Sequence, residues 1–174
     1  MENIVVATDG SATAGHAVDM AARIAAALGA KLTVVHVLMH GAASAEFERM
    51  AETEHLLRVA SRERQPALEN VPGTMGDLFR ASDDNALHAR LITVMGEEVA
   101  RRAADRAREL GAEVVAQKVP QGDYAEKILA ASRETGADMI VMGRRGLGVF
   151  ARLLQGSVSQ KVSTHADCAV LTVP

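Results

Sequence analysis

The sequence predicts an α/β fold, a doubly wound five-stranded parallel sheet with helices on both faces. Three observations predict it. Short runs rich in β-branched residues are apolar almost without a break, the pattern of strands buried on both sides. Helix-period segments alternate with these runs. Glycine then closes the helices, in Leu-Gly-Ala or Thr-Gly-Ala-Asp, just before the next strand begins. Right-handed crossovers between such units give parallel strands with helices on either side, a Rossmann-like arrangement.

Ile4-Val5-Val6-Ala7-Thr8 is the first strand. An alanine-rich helix follows from Ser11 to Leu28, with Val18, Ala21, Ile24, Ala25 and Leu28 at helical spacing and Gly29 as its stop. Leu32-Thr33-Val34-Val35-His36-Val37 is the second strand. Residues 38–84 then form an extended, partly helical insertion. Within it, Ser44 to Arg64 reads as a helix, and Pro66, Pro72, Gly73 and Gly76 make the remainder rich in breakers. A connection of that length exceeds the few residues usual in α/β units, and suits a lid, a partner-binding element or a flexible insertion. Asn85 to Leu110 is a long helix stopped by Gly111. Ala112 to Val119, interrupted by Glu113 and Gln117, is a weaker strand suited to a place near an edge. Tyr124 to Thr135 is a helix stopped by Gly136. Met139-Ile140-Val141-Met142 and the run Cys168 to Val173 complete the strands, with a last helix from Ser157 to His165 between them. The expected organisation is one domain, residues 1–174.

Composition narrows the function. Hydrophobic residues are 48% and charged ones 24%, as in an ordinary globule. A net charge of −3 argues against nucleic acid as a partner, because such domains carry a basic face. The aromatics, three Phe and one Tyr, are too few for base-stacking platforms. Arg101, Arg102, Arg106 and Arg108 alternate with Glu97, Glu98, Asp105 and Glu109 at helical spacing, which reads as an exposed face laced with ion pairs. The single cysteine, Cys168, excludes an internal disulfide and fits a reducing compartment. No signal peptide opens the chain, and no apolar run approaches the ~20 residues of a membrane span. A soluble, cytoplasmic protein without a membrane partner is expected.

The strongest motif lies after the fourth strand. Gly143, Gly146 and Gly156-Ser157 form G-x2-G-x9-G-S. At a glycine frequency of about 7%, that pattern arises by chance at roughly one position in ten thousand, so its place at a strand end carries weight. In a doubly wound sheet, ligands bind beyond the carboxyl ends of the strands. Gly143 and Gly146 can adopt positive φ and, with the amides of Arg144 and Arg145, form an anion nest. Gly156-Ser157 opens the last helix, whose free N–H groups favour a phosphate. Arg144 and Arg145 could neutralise phosphate charge or remain solvated surface.

This pattern and its surroundings resemble the universal stress protein family, in its ATP-binding subgroup. The stretch from Asn3 to Val37 looks like the family's first β-α-β unit, and Gly122 to Gly148 and Leu153 to Pro174 look like its last two. The resemblance implies a fold like that of the adenine-nucleotide α-hydrolases. It implies ATP, or ADP or AMP, with Mg²⁺ as ligand. By the family's pattern, Asp9 would bond the ribose hydroxyls and Ala7 and Thr8 would wall the adenine. Val37 would pair its backbone with the adenine edge. Met142, Gly143, Arg144, Gly146, Gly156, Ser157 and Val158 would line the phosphate side. Asp9 also reads as a helix N-cap, and the two roles can coexist. Asp167 and Ala169 stand where the family often has proline.

The expected function is nucleotide binding in a stress or signalling protein, with the nucleotide as a conformational ligand rather than a fast-turnover substrate. No G-x-x-x-x-G-K-[ST] is present, so no P-loop lysine is available. Thr8-Asp9-Gly10-Ser11 lacks the double glycine of the ATP-pyrophosphatase loop, and no H-I-G-H signature appears. His36 and His40 do not share a face and read as buried or surface histidines rather than a metal pair. Ser157 has no evident base. The alternatives are a ligand-free dimeric scaffold acting through 38–84, or a slow ATPase or a protein that phosphorylates itself, with Ser157 or Ser159 as the first sites. A homodimer through the apolar terminal strand 168–173 is expected, because such an edge is commonly protected by a second copy.

Overall fold

The computed structural model describes residues 1–38, 85–112, 115–144 and 156–174. The expected helix at 44–64, and all but the first residue of the 38–84 insertion, lie outside them. Over the described residues the elements are β1 (Asn3–Ala7), α1 (Ala12–Leu28), β2 (Lys31–Val35), α2 (Asn85–Glu109) and β3 (Val115–Lys118), then α3 (Tyr124–Thr135), β4 (Met139–Gly143), α4 (Ser157–His165) and β5 (Ala169–Val173). The strands form one sheet in the order β3-β2-β1-β4-β5, and every pairing is parallel. The chain steps outward from β1 through β2 to β3, then returns to the other side of β1 for β4 and β5. That reversal places the switch in strand order between β1 and β4, the place where sheets of this kind bind ligands at their carboxyl ends.

Side chains alternate across each strand, and both faces are covered. Ile4, Val6, Leu32, Val34 and Val141 lie in one cluster with α1 and α2. Val5, Ala7, Val35, Val37, Ile140 and Met142 lie in the other with residues of α3 and α4. Such double burial is why the strands read as unbroken apolar runs. The weak strand, β3, takes one edge, with Ala116 and Gln117 exposed.

The helix boundaries follow local chemistry. Ser11 caps α1, its side chain accepting from the Ala14 N–H at 3.2 Å, and Asp123 caps α3 through the Glu126 N–H at 3.0 Å. Gly29 and Gly136 take the left-handed conformation at the two C-termini, with φ of 63° and 58°.

Alanine dominates where α1 and α2 share the first cluster. Ala17, Ala21, Ala22 and Ala25 are buried there with Ala100, Ala103, Ala104 and Ala107. Small side chains let two helices and a sheet approach closely, and alanine has no rotamer freedom to lose. Outside this seam, Arg106 grips Asp19 with both arms, Nε to Oδ1 at 2.8 Å and NH2 to Oδ2 at 2.9 Å. That hydrogen bonding holds the Asp19 carboxyl below its ordinary range. The other ion pairs of α2 run along the helix as its charge spacing implied, Arg101 meeting Glu98 at 2.7 Å and Asp105 at 2.8 Å. Arg106 is the exception, since it also reaches across to the neighbouring helix.

The alanine seam leaves no room for larger groups. Ala21→Leu should lower the unfolding free energy by about 1–3 kcal/mol through overpacking. Met20→Leu, on the exposed side of the same helix, should change it by less than about 0.5 kcal/mol. Urea denaturation of the two variants checks the contrast.

Candidate functional site

Three segments leave the sheet at its carboxyl edge. The first follows β1. The Thr8 N–H donates to Val35 O at 2.9 Å, continuing the ladder one residue beyond the strand. Gly10 then turns the chain with φ 81°, a conformation that glycine adopts without strain. Its N–H donates to Thr8 Oγ1 at 3.2 Å, and the Ser11 N–H donates to Asp9 Oδ1 at 3.0 Å. Asp9 is thus not the N-cap of α1, which is Ser11; Asp9 steadies the turn before it. A carboxylate has about four acceptor positions, so this anchoring is compatible with accepting from a ligand as well.

The second segment follows β2. The N–H groups of His36 and Leu38 donate to Lys118 O at 3.0 Å and Pro120 O at 2.9 Å, and Leu38 O accepts from the Gly122 N–H at 2.9 Å. All of these point toward β3. Strand alternation therefore turns the N–H and C=O of Val37 the other way, past the end of β1. Among the described residues they have no hydrogen-bond partner, although Val37 is only 6% exposed. Buried backbone groups are nearly always paired, so this pair stands out as a hydrogen-bonding edge. Beside it, His36 Nδ1 bonds Thr8 O at 2.9 Å in the interior. Burial pushes the His36 pKa below the ordinary value, against the opposing pull of the Thr8 carbonyl and the Asp9 charge.

The third segment follows β4. Gly143 does not open a nest. It is the last residue of β4, buried, and opposite Val173 in register. It is not among the glycines with positive φ. Pairing with β5 holds it in the sheet, so the loop begins one residue later. Arg144 is exposed, and its backbone is bonded on both sides. Its N–H donates to Val173 O at 2.7 Å, and its carbonyl accepts from the Gly156 N–H at 3.0 Å and from Ser159 Oγ at 3.0 Å. The exit from β4 and the N-terminus of the next helix are therefore joined. Gly146 and Arg145 lie outside the described residues, as does His40. Gly156 is the N-cap of α4, with φ −69° and ψ 150° and no side-chain cap, and Ser157 is the exposed first residue of the helix.

These segments bring most of the expected positions together. Ala7, Val37 and Met142 are buried in one cluster, against which Val158 packs. Thr8 and Asp9 stand at the end of the central strand, with Arg144, Gly156 and Ser157 at the exit from the next. The arrangement offers a backbone donor and acceptor for a planar heterocycle, a carboxylate for hydroxyls and a helix N-terminus for an anion. Among the described residues no group of three His, Cys, Asp or Glu can hold a metal ion, and no helix is long and apolar enough to cross a membrane. Cys168 is a free, half-buried thiol, 3.5 Å from Ser132 Oγ.

Sequence reasoning missed three contributors. Gly10 was signalled by Asp-Gly, a frequent turn pair. His36 was signalled by one polar residue inside an apolar strand. Ser159, read from the sequence only as a self-labelling position, is 2% exposed, its hydroxyl donating to the carbonyls of Arg144 and Gly156.

The buried imidazole implies a pH dependence with a definite sign. His36 binds a proton more readily in the unfolded chain than in the folded one, so acid favours unfolding. Its contribution to stability is complete above about pH 7 and falls as pH drops from the ordinary histidine value, about 6.5, toward the lowered folded value. His36→Asn should remove that portion, which urea unfolding at about pH 7.5 and about pH 5.5 would register.

The comparisons agree with this fold. The profile of the universal stress protein family matches residues 1–174. A universal stress protein of Thermus aquaticus is 34% identical over 180 residues, covering 99% of this chain and 98% of the relative. The universal stress protein YxiE of Bacillus subtilis is 29% identical, covering 98% and 97%. A crystal structure of a universal stress protein in complex with cAMP is 26% identical, with a TM-score of 0.63 over 99% of this chain and 97% of that one. Full-length similarity in both sequence and fold places the chain in the universal stress protein family.

Proposed function

We propose that the protein binds an adenine nucleotide, ATP with Mg²⁺ or else ADP or AMP, in the crevice at the carboxyl ends of β1, β2 and β4. The observation that carries this reading is the unpaired backbone edge of Val37, set beside a carboxylate and a helix N-terminus at the switch in strand order. The N–H and C=O of one residue match the acceptor and donor on the adenine edge. Ala7, Val37 and Met142 supply an apolar wall, and Asp9 accepts from the ribose hydroxyls. Arg144, Gly146, Gly156, Ser157 and Val158 flank the phosphates, with Gly143 behind them. The cAMP-bound relative supports an adenine nucleotide as the class. Mg²⁺ would be held chiefly by the phosphates.

Gly156 favours the same reading. Its φ of −69° and ψ of 150° suit any residue, and Ser, Asp or Asn would cap the helix better. Its glycine therefore does not serve backbone geometry; it keeps the amide end of α4 uncovered. The nucleotide acts as a conformational ligand by favouring the state that binds it better. The protein works in the cytoplasm as a homodimer, its partner surface being the edge strand β5, where Val170, Leu171 and Thr172 are only half-buried. The 38–84 segment is a candidate surface for a protein partner.

Calorimetric titration with ATP should give saturable heat below about 1 mM, and silence at that concentration would overturn the proposal. Gly156→Val should weaken ATP by at least about tenfold, roughly 1.4 kcal/mol, while the far-UV spectrum stays unchanged. Light scattering should report twice the 18.4 kDa chain mass; Leu171→Lys should shift it to the monomer.

A further inference from the structure

The register of β1 and β2 fixes which bond should come next. Ala7 stands opposite Val35, and the Thr8 N–H already donates to Val35 O. A regular parallel ladder would continue with the Val37 N–H donating to the Thr8 carbonyl. That rung is absent. The Thr8 carbonyl instead meets His36 Nδ1 at 2.9 Å. A carbonyl can only accept, so Nδ1 carries the hydrogen and Nε2 the lone pair.

The imidazole has a prepared seat. Gly96 lies inside α2, where glycine is a poor helix residue. A Cβ at that position would stand 3.0 Å from His36 Cδ2 and 3.3 Å from Nε2, and would collide with Leu38 Cδ2. The helix therefore gives up a side chain where the ring and Leu38 lie against it. An aliphatic residue would fill the same volume in this apolar run without desolvating a polar ring. The use of histidine lies in its N–H.

We infer that His36 is the positioning residue that opens the ligand edge: by donating to the Thr8 carbonyl, it ends the β1–β2 ladder one rung early and leaves the Val37 N–H and C=O facing the crevice. The inference rests on the adenine-nucleotide reading for the identity of the ligand, but not for the hydrogen-bond exchange itself. With His36 unable to donate, the Thr8 carbonyl recaptures the Val37 N–H. The edge that would pair with a purine is then closed by the protein's own backbone.

Three variants separate this task from mere packing. In His36→Asn the amide nitrogen falls near the Nδ1 position and keeps the donor. In His36→Gln it falls near Nε2, and in His36→Leu there is none. Amide hydrogen exchange of Val37 is read in the free proteins, with affinities for ATP and for tripolyphosphate, which lacks a base. In the wild type the free Val37 amide should exchange fast and become protected on adding ATP. In the Leu and Gln variants it should be slowed at least tenfold without nucleotide, and ATP should bind about tenfold more weakly. Tripolyphosphate should bind all four proteins alike, and the Asn variant should match the wild type within about twofold. A Val37 amide protected in the free wild type, or unchanged in the Leu and Gln variants, overturns the inference. Equal losses in all three variants do so too, because that pattern marks packing alone. If the wild type binds no ATP, yet its Val37 amide exchanges fast and is slowed in the Leu and Gln variants, the nucleotide reading fails and the role of His36 stands.

Discussion

The carbonyl of Thr8 has two donors within reach of adjacent residues, the backbone N–H of Val37 and the ring N–H of His36, and it takes the ring. Parallel strands that keep pairing to their ends would leave no free backbone at the carboxyl edge of the sheet. Here the pairing between β1 and β2 stops at Thr8, whereas β2 continues on its other side through Leu38 toward β3. One strand thus remains anchored while half of its hydrogen-bonding capacity is released beside the central crevice. The positions of Ala7, Asp9 and the α4 N-terminus acquire meaning around that released edge.

Support for this edge comes from well behind it. The sheet is filled by β-branched residues on both faces, and its first face is closed by helices that meet through alanine. Close approach of α2 brings Gly96 beneath His36. The second face is held by α3 and α4, whose fully buried Val162 and Ser159 fix the helix that begins at Gly156. Both jaws of the crevice are therefore attached to rigid elements, which suits recognition more than large rearrangement.

Much of this was legible in the sequence, for identifiable reasons. Runs such as Ile4-Val5-Val6 and Met139-Ile140-Val141 can belong only to doubly covered strands, and glycines 29, 111 and 136 mark helix stops that local geometry enforces. The last helix was legible in outline, because Gly156-Ser157 marks the start of a segment that the structure ends at His165. The features that escaped depend on partners distant in the chain. Gly143 looked like a turn residue, yet β5 pairs with it from thirty positions away. Arg106 looked like one more member of an α2 ion-pair ladder, yet it grips Asp19. His36 could be recognised as buried, but its bond to Thr8 follows from strand register, which apolar runs leave weakly specified.

The two hydrogen bonds to the Arg144 carbonyl have a consequence of their own. With the Gly156 N–H and the Ser159 hydroxyl both holding that oxygen, the exit from β4 and the entry to α4 are tied at one atom. The first turn of the helix is thereby fastened to the sheet, so a substitution that moves the Arg144 backbone also moves the amide end of α4.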